Sequence, residues 1–248
     1  MIYDEHELIQ IAIPKTGTGC IFNMMYSVPL HILDIPEAKV TSFPNAHVED
    51  TGFSFEVPRI TEKDPLFDYY KHGHVSYKEY EKMIDIYPQY KKYKHFTLTR
   101  NPYDIMVSNY FYAARDVPNI DLINLPFERF CWGLLSGESG NEWITQVDYL
   151  KNREGNIEID FIGKLENIEE DWNKLRELFP TVPEYDANYR KVTRSKRRYS
   201  SNKRVEFADL YDTETKNLVL KYFEEDFDTF NYSKSFPLPS SPWSAMLL

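Results

Sequence analysis

Three segments of this chain carry residue types suited to handling a negatively charged group and a hydroxyl proton. In the first, Pro14-Lys15-Thr16-Gly17-Thr18-Gly19-Cys20 runs directly out of the apolar segment Leu8-Ile-Gln-Ile-Ala-Ile13. A strand, a Gly/Thr loop and a helix in succession make an anion site, because N–H groups at the helix start point outward and the helix dipole favours negative charge there. Lys15 adds a positive charge, and Thr16 and Thr18 offer hydroxyl donors. The G-x-x-x-x-G-K-[ST] phosphate loop is excluded, since here the lysine precedes the glycines. Taken alone, the segment fits an ordinary strand-to-helix turn equally well.

The second segment is Phe96-Thr-Leu-Thr-Arg-Asn-Pro-Tyr-Asp-Ile-Met-Val-Ser108. It places Arg100 at the carboxyl end of an apolar stretch, where doubly wound sheets bind ligands. Ser108 follows eight residues later, roughly 9 Å along the axis of a helix that starts at Pro102, at 1.5 Å per residue. A guanidinium fork and a hydroxyl so spaced can grip one phosphate from two sides. Their plain alternative is a surface charge flanking a helix and a serine without a task. In the third segment, His72-Gly-His74 puts two imidazoles on one side of an extended chain. Such a pair can be half of a zinc site, but no nearby cysteine or carboxylate has zinc spacing. Histidine titrates near neutral pH, so it also suits removal of a hydroxyl proton.

The elements that must hold these residues are legible in the pattern. Leu8–Ile13, His95–Thr99 and Ile157–Ile162 read as strands, being short and apolar or rich in β-branched residues. Helices are predicted from Cys20, from Pro102 to about Ala114, near Phe127–Leu135 and Ile144–Asn152, over Ile168–Phe179, and over Thr213–Phe230. Ser76-Tyr-Lys-Glu79 is a capping box, so another helix starts just after His74. Residues 29–70 hold five prolines and read as irregular structure. Strands alternating with helices imply a layered α/β domain with a mainly parallel sheet.

Composition narrows the class of partner. The chain has 248 residues, 42% hydrophobic and 27% charged, enough for a full core. Its 39 acidic against 29 basic residues give a net charge of −10, which argues against nucleic acid as a partner. Eight of those basic residues fall within positions 190–204; the other 21 against 39 acids leave a balance of −18, so positive charge is concentrated there. That run reads as a solvated loop or as a means of steering an anion. No stretch approaches the ~20 apolar residues of a membrane span. The acidic start Met1-Ile-Tyr-Asp-Glu-His-Glu7 lacks a signal-peptide pattern, and Cys20 and Cys131 are the two cysteines present. A cytoplasmic, reducing location is therefore expected.

In this order the three segments resemble those of sulfotransferases that use 3′-phosphoadenosine 5′-phosphosulfate. Pro14-Lys-Thr-Gly-Thr18 is similar to the family's 5′-phosphosulfate loop, and Arg100-Asn-Pro with Ser108 is similar to its 3′-phosphate anchor. Tyr70-x-His72-Gly-His74-Val-Ser-Tyr77 resembles the catalytic segment of heparan sulfate and uronyl 2-O-sulfotransferases. The resemblance implies a P-loop-like three-layer α/β fold with a mainly parallel central sheet flanked by helices. It implies a single domain over residues 1–235, followed by a loosely held tail from Phe236 to Leu248.

It also implies in-line sulfuryl transfer to a hydroxyl, most readily of a sugar, with adenosine 3′,5′-bisphosphate as product and no metal. His74 then matches the catalytic base and His72 its assistant, with Lys15 and the Pro14–Cys20 loop stabilising the leaving phosphate. Arg190, Lys191 and Thr193 match a loop that closes over the donor. The chain departs from the family at Gly19, where a second Ser or Thr is common, so one hydroxyl donor is missing. Two rival classes use similar parts. A small-molecule kinase would need ATP–magnesium, and a non-catalytic binder of adenosine bisphosphates would not need His74.

Overall fold

Leu8, Ile9, Ile11, Ala12 and Ile13 are all buried, and an apolar run of this kind holds its backbone groups inside the protein only by pairing them in a sheet. The computed structural model describes residues 1–27, 74–116, 125–136, 144–189 and 210–236. It divides into two compact units, one of residues 1–98 and 149–198, the other of 99–148 and 199–248.

The first unit carries a four-stranded, mixed and mostly parallel sheet. Its strands are β1 (Ile2–Tyr3), β2 (Leu8–Gln10), β3 (Lys94–Thr99, whose last residue belongs to the second unit) and β4 (Phe161–Lys164), in the spatial order β1-β2-β3-β4. β1 runs antiparallel to β2, while β2 and β3 are parallel with Ile9 opposite His95. β1 has only two residues, too few to show any periodicity in the sequence. The expected strand to Ile13 is regular only to Gln10, yet pairing does not stop there. Ile11 N donates to Phe96 O at 2.9 Å, and Thr97 Oγ1 donates to Ile11 O at 2.7 Å.

Strand alternation sorts the helices to two faces. Leu8, Ala12, Phe96 and Leu98 pack with Ile21 and Met24 of α1 (Thr18–Met25). Trp172 and Leu175 of a later helix, Ile168–Leu178, join the same cluster. On the other side of β3, His95 meets the ring edge of Tyr77 in α2 (Tyr77–Ile86) at 5.0 Å. The capping box of Ser76 and Glu79 starts α2 as expected, with Glu79 Oε2 accepting from Ser76 N at 3.0 Å.

The strand expected at Ile157–Ile162 begins four residues later, at Phe161, and runs to Lys164. Ile157 pairs with Lys151 in an isolated antiparallel bridge, closed by Asn156 N donating to Asn152 Oδ1 at 2.7 Å. Asp160 then accepts from His95 N at 2.8 Å and Lys94 Nζ at 2.9 Å, so this stretch ties β3 down before β4 begins. Gly163 in β4 has no room for a side chain, since a Cβ would sit 2.7 Å from Leu98 Cδ2 and 3.1 Å from Asp171 Cβ.

The second unit is helical and aromatic: α3 (Pro102–Asp116), α4 (Phe127–Leu135), the start of α5 (Gln146–Leu150), and, beyond the first unit's helix α6 (Ile168–Leu178), α7 (Thr213–Tyr222) and α8 (Glu224–Thr229). Tyr103, Phe127, Tyr211, Phe223 and Phe227 form its core, with Tyr103 and Tyr211 edge to face at 5.5 Å. The expected helix Thr213–Phe230 is broken at Phe223, which leaves helical geometry and is fully buried. Cys20 and Cys131 pack in the core clusters of different units. Among the described residues, no helix is long and apolar enough to cross a membrane.

Trp172 is the largest side chain closing the first unit's core; it is 1% exposed and its Nε1 donates to Pro183 O at 2.8 Å. Trp172→Ala leaves a cavity and an orphaned carbonyl, so it should lower unfolding free energy by about 3–5 kcal/mol in urea denaturation. A loss below ~1 kcal/mol would mean that α6 is not integral to this core.

Candidate functional site

The loop after β2 is shaped by two left-handed residues. Lys15 has φ +68 and Gly17 φ +86, with Thr16 between them at negative φ. Alternation of hand is the conformation in which successive N–H groups can turn to one side and form a concave anion nest. A left-handed lysine costs of order 1–3 kcal/mol, so the surrounding bonds must impose it. They converge on one atom. Thr16 Oγ1 donates to Ile13 O at 2.9 Å and Thr18 Oγ1 donates to the same oxygen at 3.3 Å.

Both hydroxyls expected to face an anion are thus engaged in shaping the loop, and both threonines are buried. Lys15, between these anchored positions and the end of the sheet, is half-buried. Helix α1 begins at Thr18, with Gly17 as its N-cap. Cys20 N donates to Gly17 O at 2.9 Å, whereas the first N–H groups of a helix, here Thr18 and Gly19, have no intrahelical acceptor. Gly17 is required twice over: by its φ, and because a Cβ there would meet Leu165 Cδ1 at 2.7 Å. At Gly19 a Cβ would meet nothing within 4 Å, so the missing hydroxyl of the family pattern is not excluded by space.

His74 belongs to the same unit. Its Nδ1 lies 2.7 Å from Ala12 O, two residues before Pro14, and a carbonyl partner makes Nδ1 the protonated nitrogen. The lone pair is then on Nε2, the arrangement a base requires. Tyr149 Oη donates to His74 O at 3.0 Å and fixes the main chain from the other side. The imidazole keeps an exposed face, yet desolvation lowers its pKa below the ordinary 6.5. The Ala12 bond opposes that shift, while the charges of Lys15 and the N-terminal amine add to it. The net shift favours the neutral imidazole. Neither Ala12 nor Tyr149 was visible as a site residue in the sequence, because one acts through its carbonyl and the other through a hydroxyl 75 positions away.

Arg100 and Ser108 lie in the second unit. Arg100 follows the last residue of β3 and is half-buried; Ser108 is on α3 and buried. Asn101 Oδ1 accepts from Tyr103 N at 3.0 Å, and Pro102 occupies the first helical position, where its missing N–H costs nothing. Arg100 N donates to Gln146 Oε1 at 2.8 Å and Gln146 Nε2 donates back to Arg100 O at 2.9 Å. His72, Arg190, Lys191 and Thr193 lie outside the described residues. The structure thus brings Lys15, Thr16, Gly17, Thr18, Gly19, Cys20 and His74 to one loop and its root. Among the described residues no group of three or more His, Cys, Asp or Glu is arranged to hold a metal ion.

No individual curated protein is matched by the chain. A sequence model of the sulfotransferase family, however, matches residues 1–233, nearly the whole of the 248-residue chain. That match takes in the left-handed loop at Lys15, the His74 imidazole at its root and the Arg100–Ser108 segment, and the chain belongs to the sulfotransferase family.

Proposed function

We propose that this sulfotransferase moves a sulfuryl group from 3′-phosphoadenosine 5′-phosphosulfate to a carbohydrate hydroxyl, with His74 as general base. The observation that carries the reading is the placement of His74: its Nδ1 is bound to Ala12 O, at the root of the loop that presents Lys15. A proton acceptor and an anion loop share one short stretch of main chain. The carbohydrate acceptor rests on the likeness of the His72-Gly-His74 segment to that of uronyl 2-O-sulfotransferases.

In this mechanism the acceptor oxygen attacks sulfur from the side opposite the 5′-phosphate. An O–S bond forms to the acceptor, the S–O bond to the phosphate breaks, and the hydroxyl proton passes to His74 Nε2. A positioned base of this kind contributes about 10²–10⁴ in rate. Charge builds on the departing phosphate oxygen, and Lys15 and the loop N–H groups stabilise it. Arg100 and Ser108 hold the donor's 3′-phosphate and supply position rather than chemistry. Arg190, Lys191 and Thr193 complete the donor contacts, His72 assists His74, and the chain works as one sulfotransferase domain.

Two outcomes test these assignments. With the donor and a panel of uronic-acid glycans, turnover should follow neutral His74. The folded pKa is lowered, so the neutral base is favoured, and kcat/KM should rise with pH on the acid side and level off before the limb expected of an ordinary histidine would. His74→Ala should cut kcat by about 10²–10⁴ and remove that acidic limb, with donor binding kept. A variant retaining full turnover and the limb would remove His74 from the mechanism.

The loop makes the second outcome. Gly17→Ala should cost stability by roughly 1–2 kcal/mol and weaken the donor product adenosine 3′,5′-bisphosphate, because its φ of +86 is denied to alanine. Gly19→Ser should leave stability unchanged and tighten that ligand about tenfold, the worth of one hydrogen bond to a charged group. Calorimetric titration reads both; equal effects of the two variants would contradict the loop's assignment.

A further inference from the structure

Arg100 sits where the chain has left β3 but not yet entered α3, outside the regular bonding of both elements. Both its main-chain groups are nevertheless bonded, and by a single side chain. The amide of Gln146 accepts from Arg100 N and donates to Arg100 O, at 2.8 and 2.9 Å. This two-bond bridge mimics one residue of a neighbouring strand, and it fixes the Arg100 Cα and the direction in which the side chain leaves it.

Gln146 is itself held from behind. It is 1% exposed, and Asp226 Oδ2 accepts from Gln146 N at 3.0 Å and from Gln146 Nε2 at 3.2 Å. Asp226 Oδ1 accepts from Val147 N at 2.9 Å, and Asp226 is 0% exposed. A carboxylate buried so deeply is costly unless its bonds are required. Capping α5 alone does not require all of them, since Thr145 Oγ1 already accepts from Asp148 N at 3.1 Å. The Nε2–Asp226 bond does something a cap does not. It selects the amide orientation in which Oε1 faces Arg100 N and Nε2 faces Arg100 O.

We propose that Gln146, oriented by Asp226, is a positioning residue that aims Arg100 at the 3′-phosphate of the donor nucleotide. The proposal rests on the assignment of Arg100 to that phosphate. A planar guanidinium grips a phosphate with two bonds only if its Cα is held, and misplacement by an ångström removes the benefit. The clamp gives selectivity for a nucleotide bearing a 3′-phosphate over one that lacks it.

The test compares calorimetric dissociation constants for adenosine 3′,5′-bisphosphate and adenosine 5′-monophosphate in the full chain. Their ratio isolates the 3′-phosphate. Gln146→Met keeps the volume without the amide, and Asp226→Asn keeps the shape while disturbing the amide's orientation. Each should lower the ratio by about tenfold, one weakened charge-assisted bond, with the monophosphate constant unchanged. Should Gln146→Met not fold, Asp226→Asn reads the same ratio. A ratio equal to the parent's, or parallel weakening of both ligands, overturns the proposal and leaves Gln146 with a purely structural task. Arg100→Ala separates the two levels. If it keeps the parent ratio, Arg100 does not read the 3′-phosphate; if it loses the ratio while Gln146→Met retains it, only the clamp is wrong.

Discussion

One carbonyl oxygen, that of Ile13, sets the conformation on which the site depends. It accepts the hydroxyls of both Thr16 and Thr18, and so gathers the chain back on itself immediately after the sheet. The gathering carries a local cost, because Lys15 is driven to φ +68, a region that a side chain with a Cβ normally avoids. The result is a loop whose main chain is set by bonds within the protein, the preorganisation that stabilising a developing charge would need. Burial of β2 against β3 and α1 holds Ile13 still, so the core underwrites the loop directly.

The same stretch of main chain positions His74. Ala12 O receives His74 Nδ1 one residue before Ile13 O receives the threonines. Neighbouring carbonyls of one strand extension thus hold the His74 imidazole and shape the Lys15 loop. Desolvation and the Lys15 charge lower the imidazole's pKa, although the chain as a whole is acidic at −10. Local geometry, rather than net charge, sets the direction of that shift.

Much of this was legible in the sequence, for identifiable reasons. The Pro14–Cys20 loop, the Ser76–Glu79 capping box and the Asn101-Pro102 helix start are local, and local chemistry leaves a local signature. The helix Phe127–Leu135 was bounded correctly because apolar periodicity and helix length coincide there. Where expectation and structure differ, a tertiary contact decided. Phe223 is drawn into the aromatic core and splits one expected helix, and Asp160 is spent on β3 and so delays β4. The roles of Thr16 and Thr18 could not be read, since their acceptor is a backbone atom. Gln146 and Asp226 were silent for another reason: they are 46 and 126 positions from Arg100, and nothing in either one's neighbourhood advertises the link.

The central claim is that the loop and the Arg100 segment serve a donor nucleotide carrying a 3′-phosphate. A thermal-shift titration with adenosine 3′,5′-bisphosphate, beside AMP, ADP and ATP–magnesium, tests it most directly. The account predicts selective stabilisation by the bisphosphate, about 2.7 kcal/mol at 100 times its dissociation constant. Stabilisation by ATP–magnesium alone would contradict it and turn the assignment toward phosphoryl transfer.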